Sequence, residues 1–202
     1  DVGEILGHCA AGDRQAVTVD EPLIQEHLHD HRDAAHLVNV KVPVILFDLP
    51  AKDGPKNGIG LKAIDGLKKL KPSPIGVAGD LALIQLANYD EHLHLLAGCD
   101  LVIEAIAERL DWKLDLYTKV APHLAPGAIV ASNTSGLSIT KLSEVLPESL
   151  RPRFCGIHFF NPPRYMHLVE LIPTPSTRPQ ILDDLESFAT RTLGKGVVRA
   201  KD

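Results

Sequence analysis

Two ionisable residues stand where apolar ones are expected. His158 interrupts the run GIHFF at 156–160, and Glu170 interrupts LVELI at 168–172. An imidazole inside an apolar strand must find a hydrogen-bond partner or cost stability, and a glutamate is almost never buried alone. Pro162 and Pro163 lie between them, so a strand, a proline-rich turn and a second strand would let the two side chains meet. A histidine held and made more basic by a carboxylate is a general acid/base pair. The competing role is a structural ion pair, which perturbs titration in the same way. A second group is ASNTSG at 131–136, with Asn, Thr and Ser side chains at the carboxyl end of an expected strand. Open α/β sheets bind ligands outside those ends, although Ser135 or Ser138 could equally cap a helix. Asp48 closes the run KVPVILFD at 41–48. An acid there can accept hydrogen bonds from adenosine ribose hydroxyls and disfavour a 2′-phosphate, or it can serve a turn.

These groups need a framework that brings strand ends together. Strands are expected at 41–48, 99–104, 128–132, 153–160, 168–172 and 196–200, each a short apolar run. Helices are expected at 57–70, 88–96, 110–123, 138–145 and 178–193, where apolar residues recur at helical spacing. Residues 71–79, with Pro72, Pro74, Gly76 and Gly79, read as a loop. Strands alternating with helices at this pitch imply an α/β fold: a Rossmann-like, doubly wound, mainly parallel sheet. Residues 1–33 stand apart. They are rich in His, Asp, Glu and Gln without a sustained apolar period, and read as loop or as an irregular helix near 22–31. The expected division is therefore an atypical segment, 1–33, and a Rossmann-like domain, 34–202.

Composition narrows the function classes. The 202 residues are 45% hydrophobic and 23% charged, as expected for a globular chain. A net charge of −5 argues against a nucleic-acid partner held by bulk electrostatics. No apolar run is long enough for a membrane span, and the first residues lack the basic and apolar regions of a leader, so membrane insertion is not expected. Cys9, Cys99 and Cys155 are odd in number and widely spaced, which suggests a reducing, cytoplasmic setting. His27, His29, His31 and His36, with Asp30 and Asp33, invite a metal reading. They lack the distant partners that make a site, and no metal is expected.

Taken together, the segments resemble the NAD-binding domain of L-3-hydroxyacyl-CoA dehydrogenase. The resemblance is carried by AAHLVN (34–39), VILFDLP (44–50), DLVIEAIAERLDWK (100–113), IVASNTSGLSI (129–139), GIHFFNPP (156–163), MHLVELI (166–172) and LGKGVV (193–198). The form with LKKLKP at 67–72 is most similar to large bacterial fusions of this dehydrogenase with an enoyl-CoA hydratase. The resemblance implies an NAD-dependent oxidation of the 3-hydroxyl of an acyl-CoA substrate in fatty-acid β-oxidation. It implies His158 as the base, Glu170 as its carboxylate partner and Ser135 as a hydrogen-bond donor to the substrate oxygen beside the nicotinamide. It also implies cofactor contacts from Asp48, Ala105, Ile106, Glu108, Lys113 and Asn161. Homodimers, or a larger β-oxidation assembly, would form through regions outside this chain.

One part of the family pattern is missing. A first strand, Gly-x-Gly-x-x-Gly and a helix should precede residue 34, but 28–33 read LHDHRD. The nearest candidate is earlier, ILGHCAAG at 5–12, with Cys9 at the place of the middle glycine. A side chain there obstructs the approach of the pyrophosphate. The first strand–turn–helix unit is therefore expected to be incomplete or altered, with replacement of the loop favoured over a degraded loop and an insertion. The helical domain that follows in the family has no counterpart within these residues. The alternative function is thus a scaffold or binding module that has lost its cofactor.

Overall fold

Apolar runs that end in a polar residue make the strands of this protein, and the computed structural model describes residues 16–19 and 31–202. The strands are β1 (Ala16–Val19), β2 (Val44–Asp48), β3 (Ile84–Asn88), β4 (Leu101–Glu104), β5 (Ile129–Ser132), β6 (Phe154–Phe159), β7 (Leu168–Pro173) and β8 (Gly196–Arg199). They form one sheet in the order β3-β2-β1-β4-β5-β6-β7-β8. The pairings from β3 through β6 are all parallel, β6 and β7 pair antiparallel, and β7 and β8 are parallel. The first six strands follow the dinucleotide-binding order, whose crevice opens where the direction of strand succession reverses, between β1 and β4.

All five residues of β2 and all four of β4 and of β5 are buried, as strands covered on both faces require. Their side chains alternate between faces. Val44, Leu46, Leu101, Ile103 and Ala131 join one apolar cluster, together with Ala34, Leu37 and Val38 of α1 (His31–Asn39) and Ile181, Leu182 and Leu185 of α5 (Pro179–Arg191). On the other face, Ile45, Phe47 and Val102 pack with Val120 of α3 (Leu110–Val120). Val130 and Phe154 pack there with Tyr117 of α3 and with Ile139 and Leu142 of α4 (Ile139–Ser143). A further helix, α2 (Gly58–Leu67), buries Ala63 and Leu67. Gly156 sits mid-strand because a Cβ there would meet Ile139 at 2.9 Å; the bare backbone lets α4 approach β6.

Two expectations change. First, residues 16–19 and 31–33 belong to the domain, because β1 occupies the middle of the sheet and His31 opens α1. Ala16 pairs with Val44 on one side and Leu101 on the other. The first strand and its helix α1 are both present, and the boundary at 34 falls inside α1. The sequence 5–12 precedes β1 and so does not link β1 to α1. The segment between β1 and α1 is 20–30, which contains no glycine and has Asp20, Glu21, Glu26 and Asp30 as its formally charged residues. The helix expected near 22–31 lies outside the described residues, save His31, which opens α1.

Second, 88–96 is not a helix. Asn88 ends β3, and a short 3-10 helix follows at Leu93–Gly98. β3 is an edge strand with Gln85 exposed and Ala87 and Asn88 buried, and five residues offer too short an alternation to stand out.

Candidate active site

The expected meeting of His158 and Glu170 is present. β6 and β7 run antiparallel with these two residues directly opposite each other, and His158 Nδ1 lies 2.9 Å from Glu170 Oε2. Their side chains are 20% and 32% exposed, so the pair is held by the sheet yet open on one side. The Phe160 ring lies 4.6 Å from the imidazole. With Nδ1 engaged, Nε2 is the nitrogen left to exchange a proton with a ligand.

The neighbouring strand end is pinned to this pair. Asn133, the residue after β5, accepts from the backbone N–H of Phe159 at 3.2 Å and donates to Asp33 of α1 at 2.7 Å. One amide thus ties α1, β5 and β6 together one residue from His158. Ser135 follows two residues later and is exposed. It is not the helix cap: Ser138 caps α4 by accepting from the Lys141 N–H. Ser135 is instead gathered by Glu108, whose carboxylate accepts from the Thr134 hydroxyl, the Ser135 and Gly136 backbone N–H groups and the Ser135 hydroxyl. Burial works to raise the Glu108 pKa. The bonds from Thr134, Ser135 and Gly136, with the Lys113 charge, outweigh it and hold the carboxyl below its usual range.

Beneath these loops lies a buried network that sequence reasoning missed. Glu104, 1% exposed at the end of β4, accepts from Lys113 Nζ, the Ile106 N–H, the Tyr117 hydroxyl and the Ser132 hydroxyl. Lys113 is fully buried and donates also to the Ile106 carbonyl. Burial and the Glu104 charge push the Tyr117 hydroxyl well above its usual range, so it remains a donor. The signal was present in Glu104 itself, an acid ending an apolar strand, but its partners are 9, 13 and 28 residues away. Lys113 is thus enclosed beneath the β4 loop, while Ala105 and Ile106, both buried, form the floor of that loop.

Asp48 lies at the carboxyl end of β2 and is 2% exposed. Its Oδ1 accepts from the Leu49 N–H, whereas Oδ2 has no hydrogen-bond partner among the described residues and lies 3.7 Å from His31 Nε2. A buried carboxylate oxygen without a donor is costly and suits a ligand hydroxyl. Near it is a cavity of about 350 Å³ walled by Leu49, Tyr89, Ile106, Trp112 and Leu116, with Asp115 and Lys119 also lining it, a largely apolar wall with a few polar groups. Asn161 is exposed on the turn after β6. Of the sequence-predicted residues, His158, Glu170 and Ser135 border one end of the crevice and Asp48 the other, with Ala105, Ile106 and Glu108 between.

Other candidates have different surroundings. Cys99 and Cys155 are free and buried, and burial pushes both thiols up to about 12, away from nucleophilic chemistry. Among the described residues, no group of three or more His, Cys, Asp or Glu could hold a metal ion, and no helix is long and apolar enough to cross a membrane. Cys9, His27 and His29 lie outside the described residues.

Known proteins are similar to this chain. The family described as 3-hydroxyacyl-CoA dehydrogenase, NAD binding domain, matches residues 34–202. The chain belongs to this family. Within it, the chain is 42% identical over 170 residues to a putative fatty acid oxidation complex trifunctional enzyme of Rickettsia felis, covering 84% of this chain and 24% of that protein. It is also 42% identical over 170 residues to a probable 3-hydroxyacyl-CoA dehydrogenase of Deinococcus radiodurans, covering 84% and 49%. Among solved structures, 3-hydroxybutyryl-CoA dehydrogenase of Escherichia coli superposes with a TM-score of 0.74 at 27% identity, over 93% of this chain and 38% of that one. The chain therefore spans between about a quarter and a half of the length of these curated relatives.

Proposed function

We propose that this chain is the cofactor-binding part of an enzyme that oxidises L-3-hydroxyacyl-CoA to 3-oxoacyl-CoA in cytoplasmic fatty-acid β-oxidation. The observation that carries the reading is the His158–Glu170 pair, 2.9 Å apart and in register across the β6–β7 ladder. His158 Nε2 takes the proton of the substrate 3-hydroxyl, while Glu170 fixes the ring through Nδ1 and stabilises the imidazolium that forms. The Ser135 hydroxyl bonds the same substrate oxygen, its loop held by Glu108. NAD, when bound, supplies the acceptor for the hydride that leaves C3.

The Asp48 oxygen, without a hydrogen-bond donor among the described residues, and the largely apolar cavity near it fit the adenosine half of NAD. Ala105, Ile106, Glu108 and Asn161 suit the path to its nicotinamide, and Lys113 acts from below by fixing the Ile106 carbonyl. In the whole protein, His158→Gln is expected to lower turnover by about 10²–10⁴-fold with NADH affinity unchanged. Near-normal turnover would reject His158 as the base.

One observation favours a second reading, a family member that has lost its cofactor. The link 20–30 carries four acids and no glycine where a pyrophosphate would lie. Fluorescence titration of the chain with NADH separates the two: saturation in the micromolar range supports the dehydrogenase, and its absence supports the scaffold.

A further inference from the structure

Two arginines line a cavity at the amino-terminal ends of β5 and β6, away from His158 near the carboxyl end of β6. The cavity, of about 590 Å³, opens between the turn preceding β5, the segment preceding β6 and Arg178. Arg153 forms its inner wall and is 7% exposed. Its guanidinium donates to the carbonyls of Ala128 at 2.9 Å and of Ala125 and Ser149 at 3.4 Å. Carbonyl dipoles orient the group without neutralising it. No Asp or Glu lines the cavity, and among the described residues neither Arg153 nor Arg178 forms an ion pair. Burial and then the Arg178 charge lower the Arg153 pKa, the mark of two cations sharing one space. Arg178 is also the N-cap residue of the 13-residue helix α5, which no side chain caps, so the positive end of a helix dipole adds to the same field. The rest of the wall is largely apolar, with Leu124, Leu150, Pro126 and Pro147.

We propose that this cavity is a second ligand site, which binds an organic anion with its carboxylate or phosphate between Arg153 and Arg178 and its apolar body along Leu124 and Leu150. Guanidinium forks match both headgroups in a bidentate manner. Arg153 immediately precedes β6 and His158 stands five residues further on, near the strand's other end, roughly 17 Å at strand rise, so the site is separate from the dehydrogenase crevice. It stands whether or not the dehydrogenase reading holds.

The test is an amide-resolved NMR titration of the chain at low ionic strength with hexanoate, hexyl phosphate, inorganic phosphate and hexanol. Hexanoate or hexyl phosphate should give saturable shifts at 125–128, 149–153 and 178, and the tighter of the two identifies the headgroup. Inorganic phosphate should move the same signals more weakly, and hexanol should not saturate. Arg178→Gln leaves the Arg153 carbonyl bonds in place and should weaken binding at least about tenfold, the size of one charge-assisted hydrogen bond. Absence of saturation with every anion, saturation unaltered by Arg178→Gln, or shifts confined to the Asp48 and His158 edge would each overturn the proposal.

Discussion

Glu104 and Lys113 make a test of what supports the active-site loops. Glu104→Gln keeps the shape of the side chain but leaves a fully buried ammonium whose other partner is the Ile106 carbonyl at 3.1 Å. Lys113→Met leaves the carboxylate with three of its four donors, from Ile106, Tyr117 and Ser132, each at 2.7 Å. Removing one member of a buried pair costs about 3–5 kcal/mol. The orphaned lysine belongs at the upper end, about 5, and the still hydrogen-bonded carboxylate at about 3 or below. At about 2–4 °C per kcal/mol for a chain of this size, Glu104→Gln should lower the unfolding midpoint by about 10–20 °C, and Lys113→Met by about half as much. The double variant contains no unmatched charge and should unfold within about 2 kcal/mol of the unmodified protein, a coupling of several kcal/mol. Urea denaturation followed through Trp112, the single tryptophan, measures all three. A Glu104→Gln cost no larger than that of Lys113→Met, or a double variant equal to the sum of the singles, would refute the reasoning.

Other outcomes follow from the same geometry. Glu170→Gln in the whole protein should lower kcat by about 10²–10⁴-fold with little change in KM for the cofactor, read by steady-state kinetics. Asp48→Asn should weaken NADH binding by about tenfold, the loss of one charge-assisted bond, measured by fluorescence titration. Glu108→Gln should raise amide hydrogen exchange at Ser135 and Gly136, whose N–H groups it accepts, by about tenfold. Burial, together with the Lys195 charge, lowers the His36 pKa to about 4. Below pH 6.5 the unfolded chain takes up a proton that folded His36 refuses. Stability should therefore be complete above pH 6.5 and fall by up to about 3 kcal/mol as the pH drops towards 4, and His36→Gln should flatten that slope.

The His158–Glu170 pair was legible in sequence because its two members are polar exceptions inside apolar strands joined by a short turn. The proline pair at 162–163 suggested the hairpin, and the register bears it out. What sequence could not supply were contacts between remote residues. Asn133 and Asp33 are 100 positions apart, and nothing about an asparagine after a strand announces a partner in the first helix. Glu104 looked like a strand terminus, because its donors come from a helix, a loop and a neighbouring strand. β1 escaped notice because AVTV is only four residues within a polar stretch, and β3 because it is five residues at the sheet edge with the polar Gln85 exposed among them.

Parallel neighbours in such a sheet are joined by long crossovers, so groups that meet across them arrive from distant parts of the gene. His158 on β6 and Glu170 on β7 come instead from one hairpin of twenty residues, the antiparallel exception in the ladder. On the proposed reading, the proton-handling apparatus is therefore a cassette that can travel, vary or be transplanted intact. The crevice for the nucleotide, assembled from strand ends across half the sheet, has no such portability.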